Sequence, residues 1–382
     1  MRVLFLFAAI ASLAGAFAQS TTVFEDRPAL IVSNDTLELT VMVAGGALAN
    51  LILRDDPAKL SPLWNPTQIA RDAGKPANFG NSRGHFVCVD GFGSASKEEQ
   101  AAGLTGHGEA HSLPWITRTH VKSGGMSILS QSVTLPIVEE ILTRTIRIVD
   151  SENVVYVHSE LENLMGFDRP INWAEHATIG SPFLEAGVTV VDVSAGPSKT
   201  RKYEGNGGGL PHRLTTFEDF TWPMAPSIDG RKIDLRAAPI PPNSGDHTTT
   251  ALDPSRKFVY VTALHPGKRL LLGYVFKREQ SPWLQTWEYY PATNQLARGL
   301  EFGTQPFDLP RREVISTGSM FGVPTYRWLP AKSKIETDFL IFYTHTPSGF
   351  SKVDDVTLER GELRVEDRTA RKNITLKVSL PL

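Results

Sequence analysis

Four short stretches of this sequence set reactive side chains at spacings that chemistry can use. Gly80-Asn81-Ser82-Arg83-Gly84 fits the G-x-S-x-G pattern of a hydrolase elbow, in which a tight strand-to-helix turn exposes the serine hydroxyl. The flanks do not supply that context. Lys75-Pro76-Ala77-Asn78 precedes it and His85-Phe86-Val87-Cys88-Val89-Asp90, which reads as a strand, follows it, so a glycine-rich turn is expected. In Gly106-His107-Gly108-Glu109-Ala110-His111 three potential ligands alternate, and on a strand His107, Glu109 and His111 would share one face, as in a cupin-like metal site. The order is not that of the helical H-E-x-x-H motif, and no further histidine or carboxylate stands at a spacing that completes a ligand set, so a metal-free polar site is preferred.

In Asn172-Trp173-Ala174-Glu175-His176, alternation gathers Asn172, Ala174 and His176 on a small polar face opposite Trp173. A lone histidine is more often a structural hydrogen bonder than a catalyst. In Arg298-Gly299-Leu300-Glu301-Phe302-Gly303-Thr304, a strand would aim the Glu301 carboxylate away from Leu300 and Phe302. Spacing alone would also suit a solvated strand residue at Glu301.

Strands must carry these stretches. Period-two alternation and β-branched residues recur over 37–43, 47–53, 126–133, 141–149, 153–162, 258–264, 270–277, 338–343, 356–365 and 374–380. Helical periodicity is confined to a turn or two around Ser96 to Ala102, which argues against βαβ units and for an all-β class. The 31 glycines and 26 prolines punctuate the strands. Long irregular stretches are expected at 55–79, 194–248 and 280–310, the second containing the run Gly205-Asn206-Gly207-Gly208-Gly209. Strand signals of similar character resume on both sides without a repeat, so one large antiparallel β-sandwich domain over 19–382 is the simplest organisation.

The 39 basic and 41 acidic residues nearly balance, and no basic run interleaves with aromatics, which argues against a nucleic-acid partner. Residues 1–18 join Arg2, an apolar run from Val3 to Leu13 and Ala16-Phe17-Ala18, the pattern of a cleaved signal peptide. The run is shorter than a spanning helix needs, so a secreted or periplasmic protein is expected, free of the membrane after cleavage. Cys88 is the single cysteine, so a packed core and no internal disulfide must supply stability. Asn34-Asp35-Thr36 and Asn373-Ile374-Thr375 are glycosylation sequons.

In order along the chain, Gly45-Gly46-Ala47-Leu48-Ala49-Asn50-Leu51, Gly84-His85-Phe86, the Gly106 to Ala110 run, the segment ending in His176 and Gly299-Leu300-Glu301 resemble the successive landmarks of aldose 1-epimerase-like proteins, the galactose mutarotase-like superfamily. The resemblance implies a supersandwich whose concave sheet holds a sugar. It implies that Glu301 takes the proton from the C1 hydroxyl while His176 delivers one to the ring oxygen, with roles reversing on closure. His107 matches a histidine that bonds the sugar near the reacting centre, and Arg83 is the candidate for a substrate-binding arginine. Trp115 and Trp287 lie near these motifs and offer apolar platforms, and Glu109, where better-known members have glycine, would rim the pocket or hold His111. The mechanism needs no cofactor and no metal. The implied partner is a monosaccharide or glycan fragment, the oligomeric state carries no signal, and Asp219, Asp229 and Asp234 are open candidates for a sugar-binding aspartate. A binding protein without turnover and a glycan-cleaving enzyme are the alternatives that the same fold would allow.

Overall fold

The computed structural model of the chain describes residues 17–18, 21–76, 80–203 and 209–382. Most of the signal segment and most of the glycine run at 205–209 lie outside the described residues.

Two antiparallel sheets face each other. One contains, in spatial order, Ile116–Ser123, Met126–Leu135, Glu140–Val149, Val154–Asn163, Lys334–His345, Leu270–Lys277, Phe258–His265 and Val190–Val193. These are mostly long, alternating strands joined by tight turns, and the burial of Glu140–Val149 alternates residue by residue. The other sheet carries the functional stretches. At its centre lie Ala195–Thr200, Ser244–Leu252, Trp283–Tyr290, Ala297–Gly299, Trp173–Gly180, His85–Val89 and Leu48–Leu53, in that order, with Glu301–Gly303 also pairing Trp173–Gly180 and Trp283–Tyr290. Between the sheets Leu39, Leu51, Ile179, Leu284 and Phe302 of one meet Ile146, Val157, Val261, Leu272 and Ile341 of the other. A three-stranded sheet at the C-terminal end, built from residues 355–377, covers the outer face of the first through Leu363, Val365, Leu271 and Phe342.

Several expectations need correcting. The segment 356–365 is two strands, Asp355–Glu359 and Glu362–Asp367, turned at Arg360 and Gly361, which both take positive φ as a two-residue hairpin turn of the primed type requires. The stretches expected to be irregular hold a helix at Pro66–Asp72 and the strands Ser244–Leu252, Trp283–Tyr290 and Ala297–Gly299. Ser244–Leu252 is buried at every position, so no alternation marks it. The helix Lys97–Ala101 is present, begun by a reciprocal Ser96–Glu99 capping box. Asn34 of the first sequon is buried, its amide donating to the carbonyls of Val149 and Glu152 at 2.6 and 2.8 Å, so that side chain is engaged inside the fold.

Candidate active site

The strand Trp173–Gly180 is buried on both faces, so alternation along it sorts one side chain into the space between the sheets and the next onto the sheet's opposite face. Glu175 goes inward. Its Oε1 takes a hydrogen bond from Arg144 Nη2 at 2.6 Å and one from Trp173 Nε1 at 3.3 Å, and its Oε2 lies 2.8 Å from His85 Nε2. His176 goes outward. Register sets it opposite Phe86, whose ring stacks on the imidazole at 4.2 Å and 20°, while Nδ1 lies 3.0 Å from Thr178 Oγ1.

Glu301 arrives beside it from the neighbouring short strand, where it pairs with Gln285, and Leu300 and Phe302 turn into the core on either side. The closest approach of acid and imidazole, Oε1 to Nε2, is 3.3 Å. Oε1 is buried and has no hydrogen-bond partner among the described residues. Burial pushes the Glu301 carboxyl well up, reinforced by Asp308 and eased by Arg201. Burial pushes the His176 imidazolium well down, reinforced by His107. Both shifts oppose charge, so the contact is not a standing ion pair. Burial thus favours the neutral forms, a protonated carboxyl beside an imidazole nitrogen free to accept a proton.

Both groups open into a cavity of about 400 Å³ walled by Trp64, Phe86, Phe92, His107, Trp287 and Asp308, with His247 at one side. His107 sits at φ +65° between Gly106 and Gly108, in a turn and not on a strand as the alternation of His107, Glu109 and His111 had implied. A side chain at Gly108 would put its Cβ 2.1 Å from the carbonyl oxygen of Val89, so only glycine lets this turn press against the sheet. His107 Nδ1 lies 3.3 Å from the Gly93 N–H and 3.4 Å from Cys88 Sγ, and burial lowers its pKa to about 4, so it is a neutral ring at neutrality. Burial drives the Cys88 thiol well up, so it stays protonated behind His107.

Of the residues singled out by sequence, Glu301, His176, His107, Trp287 and the Ser82 of the Gly80 to Gly84 run line this cavity. Three residues that the resemblance assigned to the site lie outside its wall. Glu109 turns away to accept the N–H groups of Ile137 and Val138 at 3.1 Å, fixing a turn instead of rimming the pocket. Trp115 is core, packed with Val87 and Val133, its Nε1 donating to the Ala110 carbonyl at 2.8 Å. Arg83 is buried and donates from Nη2 to the Gly80 carbonyl at 3.2 Å. Sequence reasoning missed Asp308 and His247. Asp308 pairs with Arg201 and stands 3.4 Å from His247 Nδ1. The aspartates left open are instead engaged at the surface, Asp219 with Lys199, Asp229 with Arg231 and Asp234 with Arg236.

Gly299 makes the room for the acid. A Cβ there would lie 2.1 Å from Glu301 Oε1 and 2.9 Å from its carboxyl carbon. Gly299→Ala is therefore expected to displace the carboxylate and break its 3.3 Å approach to His176 Nε2 in a crystal structure of the variant, while circular dichroism stays that of the parent. An unmoved carboxylate would show that the site has room to absorb the methyl group.

No protein family and no curated protein matches the sequence. Solved structures do match. A galactose mutarotase-like protein from Clostridium acetobutylicum superposes with a TM-score of 0.59 at 12% identity, over 86% of this chain and 99% of that one. A protein from Synechocystis gives 0.58 at 12% identity, over 89% and 100%. A galactose mutarotase related enzyme from Lactobacillus acidophilus gives 0.54 at 10% identity, over 86% and 100%. These likenesses, over nearly the whole of each compared chain, identify the fold of this protein as galactose mutarotase-like.

Proposed function

We propose that the chain is an exported aldose mutarotase, interconverting the anomers of a reducing sugar by ring opening and closure. The observation that carries this reading is the buried Glu301–His176 pair, 3.3 Å apart at the base of an aromatic-walled cavity. Opening a pyranose removes the proton of the C1 hydroxyl, forms the carbonyl, breaks the bond from C1 to the ring oxygen and protonates that oxygen. The two reacting oxygens share one carbon, so an acid and a base side by side reach both. With one proton between them, the pair gives a proton to one oxygen and takes one from the other, and closure on the opposite face runs the exchange backwards. The cavity's rings supply platforms for the sugar's C–H faces. The low pKa of His107 keeps it a neutral hydrogen-bonding partner. Export fits a substrate that is free sugar outside the cytoplasm.

The test is exchange NMR or polarimetry on a panel of aldoses. Acceleration over buffer is expected for at least one. Saturable glycan binding with no acceleration would select a binding protein, and new reducing ends from a polysaccharide would select cleavage.

The pair also sets the pH dependence. Its one-proton form is lost on the acid side when His176 also gains a proton, below the ordinary 6.5 because burial lowers that group. It is lost on the alkaline side when Glu301 gives up its proton, above the ordinary 4.5 because burial raises that one. The kcat/KM profile, measured by polarimetry, is expected to show an acid limb displaced below the ordinary imidazole value and an alkaline limb displaced above the ordinary carboxyl value. A single limb centred near the ordinary imidazole value would contradict it.

A further inference from the structure

The Glu301–His176 cavity has a neighbour. His247, Trp287 and Asp308, with Ser94, also line a second cavity of about 750 Å³ that includes Arg201, Tyr203, Phe217 and Phe307. We propose that the substrate is an uncharged oligosaccharide, its reducing-end residue over Glu301 and His176 and its next residue in this second cavity. The proposal rests on the mutarotase reading for the first cavity and adds the substrate class.

Size is the first argument. The first cavity alone is of the scale that encloses a small ligand, so the adjoining and larger second one is surplus for a single ring. Charge is the second. Arg201 is held by Asp308, and Arg213 is held by Asp246 at 2.6 Å and by Glu288. Both guanidinium groups are thus already matched by carboxylates, which leaves neither free to hold a phosphate or uronate, while hydroxyls can bridge these groups.

Polar atoms at the junction are the third. His247 lies on the strand Ser244–Leu252 directly opposite Trp287. Its Nδ1 accepts from Arg201 Nη1 at 2.7 Å, so as a neutral ring, its pKa lowered by burial to about 4, it carries its hydrogen on Nε2. That Nε2 has no hydrogen bond of normal geometry among the described residues, and His247 lines both cavities. A hydroxyl or glycosidic oxygen at the junction would give it an acceptor.

An open ring is the fourth. Phe217 is 50% exposed, at φ +56°, a conformation that costs a bulky residue energy. It is braced by Phe307 at 6.3 Å and by the Lys199 ammonium 4.4 Å from its centre. It lines only the second cavity, where it offers a face to a sugar ring.

The test compares kcat/KM for anomer exchange of lactose, maltose, cellobiose and laminaribiose with that of galactose and glucose, alongside calorimetric affinities. At least one disaccharide is expected to exceed its own reducing-end monosaccharide by about tenfold, and Phe217→Ala to remove that margin while monosaccharide exchange is unchanged. Phe217→Tyr keeps the ring and is expected to keep the margin, which separates loss of the platform from damage to the loop. Equal values for every disaccharide and its monosaccharide would overturn the proposal, as would a margin that survives Phe217→Ala. If no sugar is interconverted but a disaccharide binds about tenfold tighter than its monosaccharide and loses this with Phe217→Ala, the second subsite stands and the mutarotase reading fails.

Discussion

If the chain is the mutarotase proposed, Glu301→Gln is expected to slow anomer exchange by about 10²- to 10⁴-fold, the usual worth of a positioned proton-transfer group, and to leave the fold intact. Glutamine preserves shape beside Gly299 but neither gives nor takes a proton, so His176 Nε2 has no proton-transfer partner beside it. His176→Asn is expected to fall in the same range. Because the two act as one unit, the double variant should be no slower than the worse single variant. Stability moves the other way. The Glu301 carboxyl is raised by burial in the folded chain, so its ionisation opposes folding as pH rises from 4.5 through the raised folded value. Glutamine removes that cost, so thermal unfolding at neutral pH should come at the parent temperature or above it. Polarimetry on the three variants with calorimetry on the same samples checks both halves, and near-parent exchange in either single variant would refute the assignment.

Glu175→Ala is expected to destabilise the chain by about 3–5 kcal/mol, the cost of leaving a buried charge without its partner. The Arg144 guanidinium is buried, and its one carboxylate contact among the described residues is Glu175, at 2.6 Å. Burial pushes the Glu175 carboxyl up, but Arg144 and then His85 outweigh it and bring it below the ordinary range, so the group is ionised between the sheets. His85 is lowered by burial and takes part as a neutral ring donating to Glu175. Removing the carboxylate strands Arg144 and leaves the His85 and Trp173 N–H groups without their acceptor. Urea unfolding should show the midpoint falling. A loss below about 1 kcal/mol would mean that water or a shifted side chain replaces the carboxylate.

The parts of this structure that sequence made legible are those where local pattern and tertiary role coincide. His85–Val89 reads as a strand and is one, which removes the elbow reading of Gly80 to Gly84. Leu300 and Phe302 turn into the core and Glu301 away from it, as alternation requires. Ser244–Leu252 and Trp283–Tyr290 were hidden because central strands covered on both faces lose the polar alternation by which strands are recognised. With them went His247, whose chemistry depends on Trp287 opposite and Arg201 at a distance in sequence. Asp308 was hidden for a related reason, since it lies in a loop and gains its place from Arg201 and from the Gln285 Oε1 that accepts its N–H at 3.0 Å. Glu109 misled because its partners, the N–H groups of Ile137 and Val138, are set by the fold and not by spacing.

The Cys88 thiol beneath His107 gives the protein a built-in clock. It is the single cysteine, fully enclosed and held in its unreactive protonated form, so an aqueous thiol reagent can reach it only when the side chains packed around it part. The rate of its labelling then counts those openings in the unaltered chain, and any ligand that steadies His107 will be seen to slow it.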